Sequence, residues 1–186
     1  MTSEALVFLK KRAEKVWELD NLEKLEKKHL SSLDLSEKTI ETLCSIGLPK
    51  WCAPNMHFHP RDGFAKYSGE TNGIHIGVDR DELLICLHQS TEMIYALNFD
   101  GKSFSVARNI EEFLYLLVTY AEFIDGHLSA NPKFDFSSEF PDIDSTHDLI
   151  SNLQAVSSKP LQDYDWWAKH LEILTNQNPN YHQKTP

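Results

Sequence analysis

The sequence predicts an α+β domain: N-terminal helices, a central antiparallel sheet of about four to five strands, and C-terminal helices packed against that sheet. Three observations lead there. Apolar residues recur every three or four positions before Gly47 and again after Asn109. Between Ile74 and Val106 the period shortens toward alternation, and the connections are too short for crossover helices, so antiparallel pairing is the economical topology. A chain of 186 residues, 41% hydrophobic and 25% charged, fits one folded domain. Surface scaling hides about 70% of the unfolded chain's area at this length, enough for a core without disulfides or a structural metal. One domain is therefore expected over residues 1–175, the first 33 as a helical extension. Residues 176–186 have no periodicity and are expected as a disordered tail.

Each element has its own signal. Leu6, Leu9, Ala13 and Val16 form one stripe of a helix from Ser3 to Leu19. Asp20 or Asn21 interrupts it and caps a second helix through Leu22, Leu25 and Leu30. Asp34 with Glu37 has capping-box spacing ahead of Ile40, Leu43 and Ile46, with Gly47 as a left-handed stop and Pro49 barring continuation. Trp51 to Gly73 is rich in Pro and Gly and reads as loop, with a brief strand at His57–His59. Ile74, Ile76 and Val78 are expected on one strand face, and Asp79–Asp81 as a turn. Leu83–Leu87 is expected as a buried strand, Ser90–Glu92 as a turn, and Met93–Phe99 as a strand. Asp100–Gly101 signals a two-residue hairpin before Phe104 and Val106. Asn109 caps the clearest helix, with Ile110, Phe113, Leu114, Leu117, Ala121 and Ile124 as its stripe. Glu111, Glu112 and Glu122 lie off that stripe, and Gly126 marks its end. Asn131–Asp144 is an acidic loop anchored by Phe134, Phe136 and Phe140. Ser145 or Thr146 caps a helix through Leu149, Leu153 and Val156. Asp163 or Asp165 caps the last, through Trp166, Trp167, His170, Leu171 and Leu174. Of the adjacent tryptophans one is expected in the core and the other as an exposed anchor or a cap on the sheet edge.

Charge narrows the function classes. Eighteen basic against 28 acidic residues give −10, which opposes binding to a phosphate backbone and favours a basic partner. No nucleic-acid partner is expected. The first thirty residues hold no apolar run of signal-peptide length, and no run is long enough for a membrane helix, so the expected compartment is the cytoplasm and no membrane partner is expected. Cys44, Cys52 and Cys86 are odd in number and unevenly spaced, which implies no disulfide framework. Cys44 and Cys86 sit among apolar neighbours, where packing is the expected role.

Chemical motifs are sparse. His57 and His59 would share a strand face and are the candidate metal ligands, with Cys52 or Cys44 as a possible thiolate partner. The spacing fits no zinc finger and no zinc deaminase. There is no nucleophile elbow and no phosphate-binding glycine loop; Gly69, Gly73 and Gly77 are better explained by turns and a strand opening. Asp79, Asp81 and Glu82 could hold a cation, but turn chemistry explains them. No cofactor, no metal and no catalytic residue is expected.

The order of parts resembles a known family. Leu43–Pro49 (Leu-Cys-Ser-Ile-Gly-Leu-Pro) is similar to the signature with which SUKH-superfamily proteins leave their early helix. Ile76–Asp79, Leu84–Leu87 and a hairpin follow. Asn109–Ile124 resembles that family's Asn/Ser-x-x-x-Phe-Leu-x-x-Leu helix, and Trp166–Trp167 is similar to the fourth SUKH family. The likeness spans residues 35–174. It implies an α+β domain whose bacterial members are mostly immunity proteins, which bind and neutralise a polymorphic toxin passed between cells. The Lys/Glu-rich N-terminal helix and the His-x-His loop have no counterpart in that pattern.

The expectation is thus a non-enzymatic immunity protein, in effect an antitoxin, that occludes a cognate protein toxin, itself expected to be basic. Its interface is expected on the exposed sheet face and the acidic loops, at Asp79, Asp81, Glu82, Asp100, Asp135, Asp142 and Asp144. The alternatives are a regulatory or scaffold module of the same fold, and a metal-dependent hydrolase using His57 and His59. Oligomeric state is open.

Overall fold

The computed structural model describes residues 3–58, 65–67, 72–130, 132–133 and 142–176. Helix α1 (Ser3–Val16) is followed by α2 (Glu18–Asn21), strand β1 (Leu22–Glu23), α3 (Lys27–Leu30) and α4 (Glu37–Ser45). Then come β2 (Leu48–Pro49), β3 (Trp51–Cys52), β4 (Met56–Phe58), β5 (Ala65–Tyr67), β6 (Gly73–Val78), β7 (Leu84–His88), β8 (Ile94–Leu97) and β9 (Ser103–Ala107). Helices α5 (Ile110–Ala130), α6 (Ile143–Val156) and α7 (Asp165–Asn176) complete the order. The fold is α+β, with the antiparallel meander β6-β7-β8-β9 at its centre as the alternation predicts. Three short strands enlarge the sheet to seven: β3 and β4 extend it, and β5 shares the β6 edge with β4.

Helix α1 ends at Val16 because Glu18 takes a left-handed backbone with φ of 55°. Of the expected second helix only its last turn, α3, forms. Leu22 and Glu23 instead pair with Pro49 and Leu48. Gly47 (φ 87°) makes this possible, since a Cβ there would lie 2.3 Å from the Glu23 carbonyl oxygen. Glycine therefore stops α4 and also admits the crossing strand. The α4 cap is Ser36, whose Oγ accepts from Thr39 N at 3.2 Å, and not Asp34, which is itself left-handed.

One face of the sheet packs on the helices. Ile74, Ile85, Leu87, Ile94, Ala96 and Val106 join Leu9, Ala13, Leu43, Phe113, Leu117 and Trp167 in one core. Phe58 meets Phe113 edge-to-face at 5.9 Å. A bulge between His75 and Gly77 corrects the expected alternation. Ile74 and Ile76 are both buried, but Val78 is turned to the opposite face, opposite Leu84. Gly77 is required there, because a Cβ would fall 2.4 Å from the His57 carbonyl oxygen.

Helix α5 is capped as expected: Asn109 Oδ1 accepts from Glu112 N at 2.9 Å. It runs past Gly126 to Ala130, because a glycine with nothing near its Cβ position does not by itself stop a helix held by packing. Glu111 and Glu112, although off the apolar stripe, are buried; each is 5% exposed. The first three turns of α5 are covered almost all round, with α1 packed along them. Tyr115 Oη donates to Ala5 O, and Arg12 grips Glu122 with two hydrogen bonds of 3.0 and 2.6 Å. Helix α6 is capped by Asp142, upstream of the expected Ser145 or Thr146, and Asp144 lies on the helix. The α7 helix begins at Asp165, but that carboxylate turns away to accept from Ser105 N and Oγ on β9. The β9 and β3 edges of the sheet are thereby each blunted by a side chain, since Asn21 bonds Trp51 O and N on β3. Phe134, Phe136, Phe140 and residues 177–186 lie outside the described residues.

Candidate functional site

Strands β6 and β8 run toward the same end of the sheet, so the turns 79–83 and 98–102 sit side by side there. The first is built on Asp79. Its Oδ1 accepts from the backbone N–H of Asp81 and of Leu83, both at 2.9 Å. Its Oδ2 accepts from Trp166 Nε1 at 2.9 Å, and the residue is 6% exposed. Asp79 is therefore not a surface contact as expected: both of its carboxylate oxygens are engaged in closing the turn and docking α7. Asp81 stands outside, shared by Arg80 at 3.6 Å and Lys169 at 3.5 Å. Glu82 is exposed with φ of 62°.

The second turn has three residues, Phe99–Asp100–Gly101, where two were expected. Asn98 N donates to Lys102 O, and the Asn98 side chain accepts from Asp100 N and Lys102 N. Gly101 supplies the left-handed position (φ 80°) that such a loop needs. Phe99 at its tip is 83% exposed, and Asp100 is exposed beside it. Arg80 and Lys169 pair with Asp81, and Lys102 follows Asp100 in the chain, so this end of the sheet is mixed in charge, not uniformly acidic.

Behind the first turn lies an aromatic slot. Both tryptophans are buried, Trp166 at 7% and Trp167 at 0%, which removes the expectation of an exposed anchor there. His170 stacks on Trp166 at 5.3 Å and approaches Tyr120 Oη at 3.1 Å. Burial, with Arg80 nearby, lowers the His170 pKa to about 4, and burial raises that of Tyr120. The ring is neutral at pH 7.

Sequence reading missed two other carboxylate hubs. Glu112 accepts from Arg108 N at 2.7 Å and from Ser158 N, and from Tyr164 Oη at 2.7 Å. Burial works to raise its pKa, but these donors outweigh it and the carboxyl stays below its ordinary value. Glu111 holds Lys38 at 2.7 Å. At the far end of the sheet Glu92 accepts from Ser36 N and Oγ and from Thr39 Oγ1, and its pKa too is lowered against the effect of burial. The only advance signal was a Glu three residues past Asn109, which marks a cap and not a buried hub.

The remaining expected residues are scattered. Asp142 is exposed and held ionised as a cap by Ser145 N and Oγ. It lies at the start of α6, near His127 at the end of α5. Asp144 is exposed two residues on, and Asp135 lies outside the described residues. His57 is exposed on β4, and His59 also lies outside the described residues. Among the described residues no three His, Cys, Asp or Glu side chains are grouped to hold a metal. Burial raises the Cys52 thiol and carries Cys86 to about 11, so both are protonated at neutral pH. No described helix is long and apolar enough to cross a membrane. No protein-family model, curated protein or solved structure matches the chain.

Proposed function

We propose that this chain is a non-enzymatic immunity protein of the SUKH type, which binds a basic protein toxin and blocks it by occlusion. The observation that carries the reading is how the ionisable groups are used. Glu92, Glu112, Asp142 and Asp165 all have lowered pKa values, and each is occupied by backbone N–H groups and hydroxyls that hold elements together. Among the described residues the one strongly shifted histidine, His170, is packed among aromatic rings. A catalytic acid or base needs a proton to exchange with substrate, and these groups are committed to structure. The sequence motifs add support by their placement: Gly47 ends α4 in a left-handed conformation, Leu84–Leu87 lies in β7, and Asn109 caps α5. The net charge of −10 would steer a cationic toxin toward this surface and suppress wrong partners.

The test is capture by the tagged chain from its native cells at low and at high salt, with bound proteins identified by mass spectrometry. Recovery of a large secreted protein through a C-terminal domain that is toxic when expressed alone, weakening as salt rises, is the expected result. Recovery of housekeeping or signalling proteins alone would overturn the immunity reading in favour of a regulatory module.

A further inference from the structure

The bulge at His75–Gly77 organises the second face of the sheet. Direct cross-strand partners share a face, and the register runs Trp51–His57, His57–Val78, Val78–Leu84, Leu84–Leu97. These five residues form one continuous row across β3, β4, β6, β7 and β8, on the side away from Phe58, Ile85 and Phe113. With neighbouring strands about 4.8 Å apart, the row is about 19 Å long. Trp51 is 63% exposed, His57 is exposed, Val78 and Leu84 are half-buried, and Leu97, at 2%, is the covered end of the row. Leu84 and Leu97 belong to a second apolar cluster made of sheet residues alone, with Cys86 and Tyr95. Two residues beyond Leu97 stands Phe99.

We infer that the accessible part of this row, from Trp51 through His57 and Val78 to Leu84, is the docking surface for the partner, with Trp51 as its anchor, and that the partner is a protein with an excess of Lys and Arg around an apolar contact. The inference rests on the proposed binding role and adds the surface. Tryptophan at an exposed edge, beside half-buried aliphatic groups, has the composition of an interface centre, where a few aromatic anchors dominate. Charge selects the occupant. A second copy of this chain would bring another −10 to the face, whereas a basic partner is attracted over long range. At close range Glu82 and Asp100 beside the row have no ion pair among the described residues. The local mixture with Arg80, Lys102 and Lys169 then sets orientation more than affinity.

The experiment places the photo-crosslinking residue p-benzoylphenylalanine at Trp51, at His57 and, as an off-face control, at Glu41 on α4, in the full chain expressed in its native cells. Crosslinks from positions 51 and 57 to a basic protein, absent at 41 and reduced by salt, are expected. The Trp51→Ala chain is then expected to capture roughly thirtyfold less of that protein, the scale of one hot-spot residue. If the protein proves basic but not toxic, the surface stands and the immunity reading falls. Crosslinks to a second copy of this chain, to an acidic protein, equally from position 41, or to nothing would overturn the surface, and so would undiminished capture by Trp51→Ala.

Discussion

Glu82 and Glu92 are the same residue type in the same left-handed backbone conformation, φ 62° and 57°, at opposite ends of the sheet. Glu92, in the β7–β8 turn, spends its carboxylate on Ser36 and Thr39, so the strain of that backbone is offset by three hydrogen bonds that fasten α4 to the sheet. Glu82, in the β6–β7 turn, has its carboxylate in solvent. The two ends of one meander thus differ in purpose. One is tied to a helix, and the other keeps its side chains outside while the backbone beneath them is held by Asp79.

Removing Asp79 should have the largest effect on this contrast. Asp79→Ala leaves two backbone N–H groups and a buried indole N–H without an acceptor, at a cost of about 3 kcal/mol. Urea unfolding with Trp fluorescence measures it, and a loss under 1 kcal/mol would mean that the turn is not built on this carboxylate. Glu92→Ala comes next, at about 2 kcal/mol, through loss of the same kind of bonds at the tied end. Glu82→Ala should lie within about 0.5 kcal/mol of the parent. Equal losses at the two glutamates would erase the distinction drawn between the ends.

The third effect is pH-dependent. His170 ordinarily titrates near 6.5 and here near 4, so between those values the unfolded chain binds a proton that the folded protein does not. The stabilisation is complete above pH 6.5 and is lost as pH falls toward 4, on the order of 1–2 kcal/mol once partial solvent contact is allowed for. A His170→Gln variant should lose this slope, while the slope below pH 4.5 from Glu92 and Glu112 persists. An unchanged slope between pH 6.5 and 4.5 would show that His170 is not sealed by the aromatic slot. Smallest of all, Glu82→Gly should stabilise by about 0.5 kcal/mol, because glycine takes the left-handed backbone without strain. Destabilisation would mean that the Glu82 side chain supports the turn.

The fold was legible where local chemistry decides it. The Leu6–Val16 stripe, the Gly47 stop, the alternation through β7–β9 and the Asn109 cap all act within a few residues of themselves. What was hidden depends on partners far along the chain. A bulge at His75–Gly77 reassigns Val78 to the other face, and nothing in an alternating run announces it. Leu22 enters a strand because Pro49 comes beside it, 27 positions later. The candidate site was legible only in part. Acidity marked Asp79, Asp81 and Glu82 as one group, yet the structure separates them into a buried turn former, an ion-paired residue and a solvated one. Trp51, read as part of a loop, emerges as the most exposed tryptophan only when β3 pairs with β4.

The most direct test of the account is neutralisation. The toxic C-terminal domain of the captured protein is expressed in a sensitive host together with the wild-type chain, with Trp51→Ala, or with Glu82→Ala. The account requires that the wild-type chain restore growth, that Trp51→Ala fail to do so while staying folded, and that Glu82→Ala fall between them or match the parent. Growth restored equally by Trp51→Ala would contradict the assigned surface, and no restoration by the wild-type chain would contradict the immunity function itself.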